Sequence, residues 1–184
     1  MVVTGAGRSR PRHSSSVESA ATQLTGTFAS CVGDYRAETA PADDHEARLS
    51  AARYAARRCL ALAGISAEQL VAVGVASPGV VSREGTVLFS PLEDWAGQNL
   101  STALAPDFPC PVITENDCNL AALADRWRGS VQGSDDVAYI LSGLRTGAGL
   151  VLGGRLHRGF AGAAGETGAL PHLGWARTQD PLLA

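Results

Sequence analysis

The chain has 184 residues, a formal net charge of −3, 45% hydrophobic residues and 18% charged ones, a balance that supports one or two packed lobes rather than a solvated tail. All fifteen basic residues are arginines, which excludes a lysine Schiff base and a phosphate-loop lysine, and the near-neutral charge argues against strong unaided nucleic-acid binding. The apolar stretches are short and broken by Gly74, Pro78 and Gly79, far below the roughly 20 residues of a membrane span. Met1 to Ser16 lacks a secretory apolar core, so no membrane partner and a cytoplasmic location are expected.

Residues 1–16 read as a poorly ordered leader or a degenerate first strand. Val17 to Ala29, with turn signals at Thr25-Gly26 and Gly33-Asp34, fit a strand hairpin. From Ala42 to Ala63, Leu49, Ala52, Ala56, Leu60 and Ala63 recur at helical spacing, with Asp43 and Asp44 in the first turn and Gly64 at the end. Leu70 to Ala76 reads as a strand buried on both faces, delivering a tight Ser77-Pro78-Gly79 loop. Val80-Val81 and Thr86 to Phe89 form a hairpin across Ser82 to Gly85. Ser101 to Ala105 make a helical turn or two, and Pro111 to Thr114 are a second buried strand. Leu120, Leu123, Ala124 and Trp127 share a helical face until Gly129 stops the helix. A second sheet begins with Val137 to Leu141, bends through Gly143 to Gly149, and continues in Leu150 to Leu152 before a Gly153-Gly154 turn. The expected organisation is a leader at 1–16, a first α/β lobe at 17–130 and the start of a second lobe at 131–184. Cysteines 31, 59, 110 and 118 form no CxxC pair and no zinc-spaced cluster, so reduced thiols are expected and structural zinc is not.

Three groups of residues could carry chemistry. Thr114-Glu115-Asn116-Asp117 stand where a buried strand hands over to a helix, the place where open α/β sheets put their ligands. An Asn or Asp there caps the helix, and it can also serve a polyol, with Asp117 accepting a hydroxyl proton and Asn116 bonding a neighbouring hydroxyl. In Ser142 to Gly149 the glycines would let backbone amides approach a phosphate and Thr146 would add a hydroxyl; the alternative is a glycine-rich turn without a ligand. Glu166 lies among the small residues of Gly159 to Gly168. It is either a surface side chain or an acceptor for sugar hydroxyls.

Together PGVVSREGTVLFSP (78–91), TENDCNLAALADRWRG (114–129) and LSGLRTGAGLVLGGRLHRGFAGAAGETG (141–168) resemble the ROK family of repressors, open reading frames and sugar kinases. The resemblance runs from about Leu70 to Gly168 and more faintly back to about Ser15. It implies an α/β, actin-like, two-lobed fold of the ribonuclease-H-like architecture shared by hexokinase and the heat-shock ATPases. Sugar would lie between the lobes, and in 184 residues the second lobe would be incomplete. By this resemblance Asn116, Asp117 and Glu166 match sugar-hydroxyl ligands, and Pro78 and Gly79 lie in a loop at the sugar. Thr146, Gly147 and Gly149 match the second phosphate-binding turn. Asp117 matches the catalytic base, and that role, like ATP and Mg, is implied only for a kinase.

The departures from the family pattern shape the expected function. Family kinases open with a DxGxTK-like phosphate motif, whereas the nearest match here is Gly5-Ala6-Gly7, with glycine at the acidic position. Ala169 stands where a zinc-binding His follows Gly-Glu-x-Gly, and His172 nearby has no cysteine cluster around it. The Leu-Arg-Thr-Gly turn and the ending Gly-Ala-Leu-Pro-His-Leu-Gly-Trp look like those of actinobacterial ROK regulators. The resemblance therefore implies a sugar-binding effector domain of a transcriptional regulator, with DNA reached only through a winged helix-turn-helix part outside this sequence. The alternatives are a glucokinase-like ATP-dependent sugar kinase and a remnant unable to close a cleft. Association would follow the homodimers common in the family or an unpaired sheet edge.

Overall fold

Asp44 and Gly64 set the ends of the longest helix, α1 (His45–Ala63), in the computed structural model, which describes residues 18–25, 31–39, 44–142 and 146–169. The Asp44 carboxylate accepts the Ala47 N–H at 2.8 Å, so the helix begins three residues after the first position expected, where a side chain can satisfy its orphan donors. Its buried face carries Leu49, Ala52, Ala55, Ala56 and Cys59. The helix packs against an antiparallel pair, β1 (Glu18–Thr25) and β2 (Cys31–Thr39). Gly33 and Asp34 are not a turn. They lie inside β2 opposite Leu24 and Gln23, and the register slips between Leu24 and Thr25, so the glycine sits at a bulge that keeps the ladder going.

The apolar run at Leu70 divides differently from its hydropathy. Residues Ala67–Gln69 form a 3₁₀ turn closed by the Leu70 N–H on the Ala67 carbonyl at 3.1 Å, leaving Val71 exposed. Strand β3 (Val73–Ser77) therefore starts three residues late. It shares a sheet with β6 (Val112–Asn116). Between them come the hairpin β4 (Val80–Val81) and β5 (Val87–Phe89) and the short helix α2 (Leu100–Leu104), which is capped by Asn99. The core of this region joins Leu49, Val73, Val75, Val87, Trp95, Leu100 and Leu104. Arg53 ties α1 to the end of α2, reaching Asp107 at 2.9 Å, Glu46 at 3.0 Å and the Ala103 carbonyl at 3.0 Å.

Helix α3 (Asp117–Arg128) follows β6 directly and packs on β7 (Val137–Ser142) and β8 (Thr146–Leu152). β8 pairs antiparallel with β7, Ser142 opposite Thr146 through Val137 opposite Val151, and with β9 (Arg155–Leu156). Two expectations change here. The buried face of α3 is Cys118, Asn119 and Ala122 rather than the Leu120, Leu123, Ala124 and Trp127 row, and Trp127 is 63% exposed. Close packing on glycines selects the smaller residues. Thr146 to Gly149, expected within a bend, are paired strand. The described residues fall into two compact units, one through Glu115 and one from Asn116 on, whereas the lobe limit expected at 130 falls just past the end of α3. The leader 1–16, the Gly143 to Arg145 bend and His172 lie outside the described residues.

Candidate functional site

Within the second unit the structure brings Asn116, Asp117 and Glu166 together at the start of α3. Asn116 is the N-cap: its Oδ1 accepts the Asn119 N–H at 3.0 Å. Because one oxygen does the capping, its amide Nδ2 is available to donate to Glu166 Oε1 at 3.4 Å. Capping and the contact to Glu166 thus use different atoms of one side chain. Asp117 is the first helical residue, and its Oδ1 accepts the Cys118 N–H at 2.8 Å.

Glu166 reaches this group from a loop anchored to β8 by the Ala148 N–H on the Gly165 carbonyl at 2.8 Å. It is half-buried, not a fully exposed loop carboxylate. Burial, and after it the negative charge of Asp117, push its carboxyl above the usual carboxylate range. Next to it, Thr167 Oγ1 is buried with no hydrogen-bond partner among the described residues. An amide, two carboxylates and an unsatisfied hydroxyl in one neighbourhood suit a ligand that both donates and accepts hydrogen bonds through many hydroxyls.

Cys118 was not singled out by sequence reasoning, yet it organises the site. Its thiol is buried, and desolvation first, then Asp117 and Glu166, push its pKa up to about 12. A Cβ on Gly147 would stand 2.8 Å from Cys118 Sγ, and one on Gly149 would overlap the Cys118 carbonyl oxygen. The two glycines of the expected phosphate turn therefore let β8 lie directly against the first turn of α3. The signal for this in the sequence is the alternation of Gly147 and Gly149 on one face of a strand.

Pro78 and Gly79 belong to the first unit, on the turn between β3 and β4. Gly79 has φ 97°, and a Cβ there would overlap the Phe89 carbonyl oxygen, so only glycine fits. Ser77 and Ser90 hydroxyls both donate to the Pro78 carbonyl, at 3.2 and 3.1 Å.

Among the described residues no three His, Cys, Asp or Glu side chains gather as a metal site, and Cys110 and Cys118 lie outside any disulfide. No helix of the described residues is long and apolar enough to cross a membrane.

Comparison with known proteins defines the class first. A ROK-family glucokinase from Streptomyces griseus, solved with glucose and AMPPNP, matches with a TM-score of 0.70 and 30% identity over 83% of this chain and 48% of that one. The chain thus has the actin-like α/β fold of sugar kinases and repressors, over about half the length of that structure. The model of the ROK family matches residues 56–174, and the chain belongs to the ROK family. It is 35% identical over 100 residues to the xylose repressor of Caldicellulosiruptor bescii, covering 54% of this chain and 25% of the repressor. It is 37% identical over 101 residues to the glucokinase of Streptomyces coelicolor, covering 54% of this chain and 32% of the kinase. The match spans about a quarter to a third of these curated relatives, and the relatives include both repressors and kinases.

Proposed function

We propose that this chain is the sugar-binding effector part of a cytoplasmic ROK-type transcriptional regulator, whose DNA contact is made by a winged helix-turn-helix region outside the sequence. The observation that carries it is the Asn116–Glu166 hydrogen bond beside Asp117, an array of amide and carboxylate groups that fits adjacent sugar hydroxyls. By the family resemblance Pro78 and Gly79 are proposed as sugar-loop residues too. Binding would favour one state of the chain over another, and that shift would reach the DNA-binding part. The likeness of the Leu-Arg-Thr-Gly turn to that of ROK regulators and the xylose-repressor relative support the sensor reading.

The second reading is a sugar kinase, favoured by the position of Asp117 at the strand end and by the glucokinase relative. There Asp117 would take the proton of a sugar hydroxyl while that oxygen attacks the γ-phosphorus of ATP and ADP leaves. Thr146, Gly147 and Gly149 would face the phosphates, and Mg-ATP would supply the phosphoryl group. The test is thermal shift of the full chain with D-xylose, D-glucose and N-acetyl-D-glucosamine, followed by ADP release with ATP present. One of these sugars raises the melting temperature, Glu166→Gln weakens that sugar about ten- to a hundredfold, and no ADP forms. Sugar-dependent ADP release, lost in Asp117→Asn, would establish the kinase instead, and no shift with any of the three would remove the sugar site.

A further inference from the structure

The Pro78–Gly79 turn is fastened to the core of the first unit by a chain of polar contacts that the sugar ligands themselves do not include. Trp95 is buried in that core, and its indole Nε1–H donates to the Ser77 Oγ at 2.8 Å. Ser77, itself 1% exposed, donates its hydroxyl hydrogen bond to the Pro78 carbonyl at 3.2 Å. Ser90 places a second hydroxyl on the same carbonyl at 3.1 Å and is oriented by accepting the Leu92 N–H at 3.2 Å. The indole is held in turn by Arg48. That guanidinium lies 5.9 Å from the ring centroid and donates to the carbonyl of Glu93, two residues before Trp95, at 2.8 Å. A buried Trp could bring its N–H to any carbonyl; here it is directed at a hydroxyl that holds the Pro78 carbonyl.

We infer that Trp95 is a positioning residue for the sugar loop, holding the Pro78–Gly79 peptide through Ser77, and that its indole reports whether the site is filled. The inference rests on the proposed contact between Pro78–Gly79 and sugar. A plain core tryptophan would contribute packing alone, whereas this one sets the orientation of a main-chain carbonyl at the end of β3. Loss of the N–H leaves Ser77 free to rotate its hydroxyl away from Pro78. The loop then samples more than one orientation, and sugar must select the competent one, which weakens apparent binding.

The test uses the full chain carrying Trp127→Phe and Trp175→Phe, so that Trp95 is the single tryptophan, excited at its red edge and titrated with D-xylose, D-glucose and N-acetyl-D-glucosamine. A sugar that raises the melting temperature also shifts or quenches Trp95 emission. Trp95→Phe, which keeps an aromatic ring and removes the donor, weakens that sugar about five- to tenfold, the size of one lost hydrogen bond. Ser77→Ala weakens it by a similar factor, and combining the two adds little, because both break one chain of contacts. Ser90→Ala, at a partly exposed position clear of the core, provides a folded variant with the same direction of effect should Trp95→Phe unfold. Sugar binding with unchanged Trp95 emission and undiminished affinity in Trp95→Phe or Ser90→Ala overturns the inference and leaves the sugar site standing. An unaltered chain that binds none of the three sugars overturns the proposed function and this inference with it.

Discussion

Glu166 and Cys118 show how one carboxylate cluster sets the chemistry of its neighbours. The Glu166 carboxyl is raised above its usual range by burial and by Asp117, so the folded state holds its proton more tightly than the unfolded one. The stability linked to it is present in full below the unfolded value, near 4.5, and is lost as the pH rises through the higher folded value. Glu166→Gln removes this dependence: melting curves between pH 4 and 7 are expected to show a flatter pH profile and a higher melting temperature than the parent near neutrality. The Cys118 thiol, pushed up to about 12, stays protonated at neutral pH and is closed off from solvent. Iodoacetamide at pH 7.5 is expected to leave Cys118 unmodified in the folded protein and to alkylate it in 6 M guanidinium, as read by peptide mass mapping. Labelling of Cys118 without denaturant would contradict its burial.

At the level of elements, the C-terminal ends of α1 and α3 and most of the face of α1 were legible, whereas the start of α1 and the face of α3 were not. Asp44 and Gly64 mark the ends of α1 because capping depends on local residue type, and Asp44→Ala is expected to cost about 1 kcal/mol in urea denaturation. The buried face of α3 depends instead on what lies opposite. β8 presents Gly147 and Gly149 there, so Cys118 and Ala122 fit where Leu120 and Leu123 would be too large, and periodicity within one helix cannot show this. Gly33-Asp34 misled in the same way, since a turn-forming pair is tolerated inside β2 once a bulge takes up the extra residue. Gly147→Ala is expected to destabilise by roughly 1–3 kcal/mol through its collision with the Cys118 sulfur. Adding Cys118→Ala should recover much of that loss. The same Cys118 change should not rescue Gly149→Ala, whose obstacle is a main-chain carbonyl. Equal rescue of both would show that β8 shifts bodily instead of meeting a fixed helix.

For the whole molecule, the family and fold were readable because three motif strings, spread over about ninety residues, agree in order and spacing. Regulator and kinase could not be separated on the same residues, because both activities would use the same hydroxyl-binding groups. The structure gathers Asn116, Asp117 and Glu166 in one unit, although Glu166 is fifty positions away from Asn116 in sequence; no local pattern predicts such a pairing. The first unit depends on a small core, so Leu100→Ala, at a side chain 1% exposed, is expected to cost about 2–5 kcal/mol and to lower the urea midpoint accordingly. β6 ends at Asn116 and α3 begins at Asp117, with no residue between them. A one-residue insertion there would part the Asn116 side chain from the Asn119 N–H that it caps and displace Asp117 and Cys118 together. Evolution can therefore retune this site by exchanging side chains but has no slack there for insertions or deletions, and length variation among relatives should cluster in the hairpin turns and spare this junction.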